Sequence, residues 1–303
     1  MLMDRPEQGS SRGYAYGLGA YTIWGLFPAF FGLLSFAQPL EILAHRAAWT
    51  LVLMVAVLAV GRQLGSLRGL PTRTWGLAAV AAALISTNWG IYIYAALSGH
   101  VGEAALGYFI NPLVSVAIGV LVFRERLAKI QALAIGIAVI AVVVVTVAYG
   151  RPPLIALGLA ATFALYGVIK RVVPIPPRTS LTAEAIVLTP FAVAYLVVLT
   201  ATGQAHLAGG AAQLLLLAAC GPITAVPLLL FGAAAQRLPV VIIGLLQYVT
   251  PILQMAWAVL ISHEHLSGTT WLGFALIWSA LVVFTTDSLR RIRRRSTIRP
   301  ISA

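Results

Sequence analysis

Charged residues are scarce in this sequence, where aspartate, glutamate, lysine and arginine make up only 9% of the 303 residues. A soluble domain carries about 25% charged residues, and a water-facing surface cannot be built from so few. We therefore expect lipid to be the solvent for most of the chain. In lipid every backbone polar group needs an internal partner, so the membrane-spanning structure must consist of helices or a closed barrel.

Acidic residues and cysteine are also rare. The chain has eight acidic and 20 basic residues, for a net charge of +12. Such an excess of basic residues usually suggests nucleic-acid binding. Here the basic residues lie between apolar stretches rather than on one face of a domain, so we expect no nucleic-acid partner. The single cysteine, Cys220, lies in an apolar segment, which excludes a disulfide framework or a cysteine-rich metal site within one chain.

The sequence does contain a series of unbroken apolar stretches about 20 residues long, the length that spans a bilayer as a helix. A barrel would instead show alternating segments of about 10 residues. The polar N-terminus is not typical of a signal peptide, so the first stretch is expected to stay as a signal anchor. We predict an all-α integral membrane protein with ten transmembrane helices, at 14–36, 40–60, 74–97, 102–122, 129–148, 153–169, 182–202, 212–233, 239–260 and 269–287.

The distribution of lysine and arginine predicts the orientation, because these residues accumulate in cytoplasmic loops. With the N-terminus inside, 18 of the 20 basic residues fall on the cytoplasmic side, while Arg151 is outside and Arg46 lies within a span. We therefore predict a multi-pass protein of the cell (inner or plasma) membrane with both termini cytoplasmic. The basic run from Arg290 to Arg299 is expected to bind anionic lipid of the bilayer.

Two stretches read alike, GYFINPLVSVAIGVLVFRERL from Gly107 and LLQYVTPILQMAWAVLISHEHL from Leu245. Further pairs match in the same order, namely Trp24 with Tyr166, Glu41 with Glu184, Asn111 with Thr250, Pro112 with Pro251 and Glu125 with Glu264. Because the unit has five spans, the second copy must enter the membrane from the opposite side, as in transporters with a midplane site. We predict a first five-helix repeat at 14–148 and an inverted one at 153–287, flanked by cytoplasmic tails at 1–13 and 288–303.

Pro112 and Pro251 are predicted to kink spans four and nine near their middle, because a mid-helix proline frees a carbonyl and bends the helix. Their paired placement favours a role in the transport pathway. The alternative is a kink that serves only helix packing.

Several motifs carry a family resemblance: Asn88-Trp89-Gly90, GYFINPL from Gly107, Glu125-Arg126-Leu127, EILAHR from Glu41 with Trp49, GPITAVPL from Gly221, and Gln247-Tyr248. Over nearly the whole chain they resemble the RarD branch of the EamA transporters, in the drug/metabolite transporter superfamily. The resemblance implies ten helices in two inverted halves, inner-membrane residence, and a permease role named for chloramphenicol sensitivity. Leu97 is a departure, because the resemblance leads us to expect asparagine there.

Charged residues inside a span are candidates for function, because charge is costly to place in a bilayer. We predict a gating or coupling cluster in which Glu41 and His45 share a helix face near Arg46, and Glu103 lies within its reach. Arg46 would then take an anionic group or a carboxylate partner. The alternative is a structural ion pair near the interface. Glu184 is predicted to be either an inner gate residue or a snorkelling carboxylate at the cytoplasmic end.

Amides and aromatic rings are concentrated in the central thirds of spans three, four and nine, as expected of an apolar small-molecule pocket with a few polar groups. The predicted substrate-binding residues are Asn88, Trp89, Tyr92, Tyr108, Asn111, Gln247 and Tyr248. The alternative is that these amides join helices and the rings form interfacial belts. Glu125 and Glu264, at loop-side helix ends, are predicted to be structural caps.

These features together predict a permease or exporter of small amphipathic metabolites or drugs that works by alternating access. The acids are scattered, and no catalytic constellation or cofactor motif is found, so we expect no enzyme, cofactor or metal. A non-transporting membrane scaffold and a membrane-embedded lipid-modifying enzyme are the alternatives. Any coupled proton would be carried by Glu41, His45 or Glu184, whereas a facilitator needs none. The sequence leaves the substrate open, and also whether a homodimer forms.

Overall fold

The computed structural model describes residues 11–123, 129–149, 152–206, 210–235, 237–238 and 246–297. These residues form eleven α-helices and contain no strand. A short 3-10 turn, Leu64–Leu67, follows the third helix. The helices are α1 (Ser11–Gly25), α2 (Phe27–Gly32), α3 (Pro39–Val60), α4 (Thr72–Leu97), α5 (Val101–Phe123), α6 (Lys129–Tyr149), α7 (Leu154–Val172), α8 (Pro177–Ala201), α9 (Ala211–Ala235), α10 (Val249–Leu260) and α11 (Gly268–Thr297).

The helices agree with the apolar stretches of the sequence. Five are long and apolar enough to cross a membrane: α3, α4, α8, residues Ala211–Ala234 of α9 and residues Gly268–Thr286 of α11. Shorter apolar helices lie at Ala132–Val147, Leu154–Lys170 and Val249–Leu260. The all-helical membrane architecture predicted from composition is thus confirmed. Glu125, Arg124, Arg126, Arg151 and Arg299, which entered the sequence arguments, lie outside the described residues.

Three predicted spans differ from the structure in detail. The first is divided into α1 and α2 at Leu26, and Pro28 lies in the first turn of α2. The seventh begins earlier than predicted, at Pro177 instead of residue 182. In the ninth, α10 begins only at Val249, so Pro251 lies in its first turn, where a missing N–H breaks no helical bond. The predicted kink at Pro251 in the middle of the ninth span stays a prediction, because residues 239–245 of that span lie outside the described residues. Pro112 does lie inside α5.

Most helix packing joins the two halves of the chain. α5 packs on α7 and α10, α3 on α8 and α9, α1 on α9 and α10, α4 on α7 and α8, and α6 on α11. The largest apolar cluster lies among α5, α6, α7, α10 and α11, around Phe109 and Phe274. A second cluster surrounds Phe31 and Tyr92. Helices distant in sequence therefore enclose the interior between them.

Two glycines permit direct backbone contact between the halves. A Cβ on Gly107 of α5 would lie 2.7 Å from the carbonyl oxygen of Ala156 in α7. A Cβ on Gly221 of α9 would lie 2.6 Å from the carbonyl oxygen of Trp49 in α3. Small residues at membrane helix interfaces allow this kind of close approach. Gly107 and Gly221 each stand in one of the motifs that carry the family resemblance.

We expect Gly221→Ala to destabilise the protein by roughly 1–3 kcal/mol, because the added methyl group forces two backbones apart. The measurement is the apparent melting temperature of detergent-purified protein, followed by size-exclusion chromatography after heating. Gly232→Ala is the matched control on the same helix, since a Cβ there meets nothing within 4 Å. The control should be as stable as wild type or slightly more so, because alanine favours the helix. Equal melting temperatures for the two variants would contradict the assigned contact.

Candidate functional site

A cavity of about 960 Å³ lies between the halves of the chain. Its lining comes from α1, α2, α3, α4, α5, α7, α8, α9 and α10, and from residues just beyond α3 and α9. Aromatic rings dominate its deeper part, and they include Trp24, Phe27, Trp89, Tyr92 and Tyr108. The volume is at the upper end of the usual range for small-molecule pockets, which is about 300–1,000 Å³. The interior thus has room for a small organic solute.

One end of the cavity, here called the open end, lies where several helices terminate. The lining there includes Tyr16 near the start of α1, Gln63 after α3, Lys170 near the end of α7, Arg178 at the start of α8 and Arg237 after α9. Two of these helix ends, the start of α1 and the segment after α9, are in direct contact. The guanidinium carbon of Arg237 lies 5.4 Å from the ring centroid of Tyr16. The cavity therefore reaches one end of the helix bundle.

The opposite end, here called the closed end, is held together by three glutamates that bind the ends of helices in the other half. Glu264 accepts hydrogen bonds from the backbone N–H groups of Val101 and Gly102, both at 2.8 Å. These N–H groups belong to the first turn of α5, where no intrahelical acceptor exists. The carboxylate also lies at the positive end of the helix dipole. The prediction that Glu264 is a structural cap is confirmed.

Glu103 and Glu41 make similar contacts at the closed end. Glu103 accepts a hydrogen bond at 3.0 Å from the N–H of Ile155, in the first turn of α7. Glu41 is fully buried and accepts one at 2.8 Å from the N–H of His206, whose Nδ1 lies 2.7 Å from its second oxygen. None of these groups is among the described residues that line the cavity. The cavity thus ends before it reaches this side.

Arg46 is the charged group deepest in the cavity. It is 2% exposed, and its Nε donates a hydrogen bond at 2.7 Å to Oγ1 of Thr224 in α9. The guanidinium carbon lies 4.1 Å from the ring centroid of Trp89, 5.3 Å from that of Phe27 and 5.7 Å from that of Phe31. Its Nη1 has no acceptor among the described residues. Aromatic faces and one hydroxyl thus hold this cation.

The predicted pairing of Arg46 with a carboxylate is wrong. Among the described residues no carboxylate oxygen lies within 4.0 Å of the guanidinium. Glu41 and Glu103 were predicted to lie near Arg46, but they bind His206 and Ile155 at the closed end instead. His45 is buried at 4% exposure and is not among the residues that line the cavity. Its Nε2 has no partner in the described part of the chain.

Glu184 is not a snorkelling interfacial carboxylate, because it is only 1% exposed. Lys170 Nζ lies 2.6 Å from its Oε1. Tyr166 donates a hydrogen bond to Oε2 at 3.0 Å, and Ser180 donates one to Oε1 at 2.8 Å. The earlier start of α8 explains the difference, because it places Glu184 two turns inside the helix rather than at its end. The cluster joins α7 to α8 beside the open end.

The predicted substrate-binding residues divide into two groups. Asn88, Trp89, Tyr92, Tyr108 and Gln247 line the cavity. Asn111 and Tyr248 do not appear among the described lining residues; Tyr248 packs against the apolar cluster around Phe109.

Asn88 also joins helices, because its amide nitrogen donates to the carbonyl of Leu159 at 3.0 Å and to Thr162 Oγ1 at 2.9 Å. Asn88 therefore lines the cavity and also joins α4 to α7, so its geometry fits both interpretations of this amide. Leu97, the departure from the family pattern, packs in the apolar cluster around Phe31 and is not among the lining residues.

Sequence reasoning did not select Thr250, which lines the cavity, or Thr224, which binds a lining residue, whereas Gln254 is one of the amides of span nine that it did point to. Thr250 donates to the carbonyl of Tyr21 at 2.8 Å, and Gln254 donates to that of Trp24 at 3.1 Å. Thr224 supplies the hydroxyl that binds Arg46. Thr224 and Thr250 lie in helices that are otherwise mostly apolar, and a polar residue in such a helix is the signal that could have selected them.

Comparison with known proteins identifies the family. Residues 11–147 match the EamA-like transporter family. Protein RarD of Streptomyces exfoliatus is 47% identical over 96% of this chain and 93% of its own length. The chain belongs to the RarD branch of the EamA transporters. A Vibrio cholerae protein described as an uncharacterized transporter is 37% identical over 96% of this chain and 97% of its own length.

The fold has a counterpart among solved structures. One protein crystal structure matches with a TM-score of 0.61 at 19% identity, covering 91% of this chain and 97% of that one. Together with the apolar helices, membership of the EamA family makes the chain a multi-pass membrane protein of transporter type rather than a known type of enzyme.

The Lys170–Glu184 pair predicts an asymmetric response to mutation. Lys170→Met leaves the buried Glu184 without its cation and should destabilise the protein by about 3–5 kcal/mol. Glu184→Leu should cost less, because Lys170 is 26% exposed and can reach water. The double variant should be more stable than Lys170→Met alone, since it removes both charges. Apparent melting temperatures in detergent measure all three, and additive losses would rule out the assigned pair.

Proposed function

We propose that this protein is a permease or exporter that moves small amphipathic metabolites or drugs by alternating access, through the cavity between its halves. The observation that carries the proposal is the asymmetry of the cavity. It reaches the bundle surface at the open end, whereas the closed end is held by Glu41, Glu103 and Glu264. A site accessible from one side at a time is what alternating access requires. Family membership supports the same role.

Helix packing supports two five-helix repeats. In these repeats α1 and α2 together correspond to α7. The other corresponding helices are α3 and α8, α4 and α9, α5 and α10, and α6 and α11. Exchanging the paired helices turns the α5–α7 contact into the α10–α1 contact, α3–α9 into α8–α4, and α1–α9 into α7–α4. The contacts α3–α8, α5–α10 and α6–α11 exchange with themselves. The exchanged contact is present for each of these main pairs, as expected of two copies of one unit with ten membrane crossings in all. The smaller contacts α3–α4, α4–α5 and α5–α6 have no counterpart of similar extent among the described residues.

The same repeats give the protein its proposed orientation. An odd number of crossings in each unit inverts the second copy, and the positive-inside rule places the open end in the cytoplasm. Lys170, Arg178 and Arg237, which line the open end, agree with that placement. We propose an inner or plasma membrane protein with both termini inside, whose basic tail from Arg290 binds anionic lipid.

The three glutamates at the closed end have a proposed role as the external gate. They bind helix N-termini and one histidine across the boundary between the halves. Opening this end requires these hydrogen bonds to break together. The energy for that step has to come from contacts formed elsewhere, between the halves at the open end.

Cysteine accessibility tests this proposal without knowledge of the substrate. Gly167 lines the cavity and a Cβ there meets nothing within 4 Å, so Gly167→Cys can be made in a Cys220→Ala background. A membrane-impermeant thiol reagent should label it rapidly in inside-out vesicles. It should also label it, more slowly, in right-side-out vesicles, because the gate opens in the minor state. Labelling is read by mass shift of the purified protein.

Gly136→Cys is the matched control, since Gly136 is exposed on α6, away from the cavity lining. In lipid its thiol stays protonated and should not react from either side, because the thiolate is the nucleophile. Labelling of Gly167→Cys from one side only would contradict alternating access. The absence of labelling from both sides would contradict an open cavity.

A further inference from the structure

We propose that the solute of this cavity carries an anionic group beside an aromatic or aliphatic body, and that Arg46 binds the anion. The inference rests on the proposed function and specifies the substrate class of that cavity. Three observations carry it: the charges that line the cavity, the missing counter-ion of Arg46, and the unused hydrogen-bond donors around it.

The charges on the cavity lining have one sign. Arg46, Lys170, Arg178 and Arg237 line it, and no aspartate or glutamate is among the lining residues in the described part of the chain. Lys170 is neutralised by Glu184 behind it. The other three cations have no carboxylate within 4.0 Å among the residues that the structure describes. A cleft lined by one sign of charge concentrates ions of the opposite sign and speeds their entry. The cavity therefore favours anions.

Each described glutamate is bound to a group other than Arg46. Glu41 binds His206, Glu103 binds Ile155, Glu184 binds Lys170, and Glu264 binds the start of α5. None remains for Arg46. A buried charge without a counter-ion is strongly destabilising, and more so in a bilayer. An anionic solute that enters the cavity supplies the charge that the protein itself does not.

Two buried donors at the same place lack acceptors. They are Nη1 of Arg46 and the hydroxyl of Tyr92, neither of which has a partner among the described residues. Both residues border the ring of Phe27, which lies 5.3 Å from the Arg46 guanidinium carbon and 6.1 Å, between ring centroids, from Tyr92. Leaving a buried donor unsatisfied is unfavourable. An anionic group placed beside Phe27 would supply the acceptors that these donors lack.

The rings around Arg46 define the rest of the solute. Trp89, Phe27 and Tyr108 line the cavity beside the guanidinium and the Tyr92 hydroxyl. Such surfaces bind a flat or aliphatic body by apolar contact, while the two donors fix the charged group. The chemical class that satisfies both is a small organic acid, with a carboxylate or a similar monoanion at one end.

Fluorescence quenching tests the proposal with two small probes, iodide as the anion and acrylamide as the neutral control. Trp89 lies 4.1 Å from the Arg46 guanidinium carbon, and its emission is isolated as the difference between each protein and its Trp89→Phe counterpart. In neutral detergent we expect Arg46→Gln to lower the Stern–Volmer constant for iodide several-fold and to leave that for acrylamide unchanged. Arg46→Lys, which keeps the charge, should retain most of the iodide effect.

Arg178→Gln is the matched control, because it removes the same charge at the open end. It should reduce iodide quenching of Trp89 less than Arg46→Gln does. Equal iodide constants in wild type and Arg46→Gln, with acrylamide still effective, would overturn the anion site and leave the permease proposal intact. If neither probe quenches Trp89 in wild type, the cavity is not open, and both proposals fail.

A matched pair of solutes tests the class directly. Phenylacetate should protect Trp89 from iodide in wild type, whereas phenylacetamide, which has the same ring and no charge, should not. Equal protection by the amide would show recognition of the ring alone and overturn the inference. Arg46→Gln should also match or exceed the melting temperature of wild type without solute, because it removes an uncompensated charge. A large loss of stability in that variant would mark Arg46 as a structural residue instead.

Discussion

Every polar group that this chain carries into the bilayer has to find its partner inside the protein, because lipid offers none. The scarcity of acids makes this constraint severe, and the described glutamates are all used to bind helix ends, a histidine or Lys170. Their positions decide which end of the bundle is held shut. None of them binds Arg46, so its guanidinium lies among aromatic rings without a carboxylate from the described residues. This group therefore determines which solutes the cavity can bind.

The sequence predicted the helices well, because apolar length is a local property and a bilayer fixes the length it needs. It predicted their interruptions poorly. The break at Leu26 between α1 and α2 lies two residues before Pro28, and α10 begins at Val249, two residues before Pro251. A proline is compatible with the first turn of a new helix and also with a kink inside a longer one, so residue type alone does not distinguish the two. The seventh span was predicted too short because Arg178 appeared to mark a loop, although α8 begins at Pro177.

The site was only partly predictable for a related reason. Residue type and depth selected Asn88, Trp89 and Tyr92 correctly as cavity-lining positions, but partners depend on which helices meet. The hydroxyl bound to Arg46 comes from Thr224, 178 positions away. The partner of Glu103 is a backbone N–H of α7 rather than Arg46. Proximity along one half of the chain says little about contacts that cross to the other half.

The contact between Glu264 and the start of α5 has a consequence for how such chains diverge. Both of its hydrogen bonds come from main-chain N–H groups, of Val101 and Gly102. The side chain at position 101 takes no part in them, so other apolar residues that fit its buried position can replace valine while the bonds persist. Only proline, which lacks the donor, would abolish one outright. Variation at that position among relatives therefore carries no information about whether they keep the same closure.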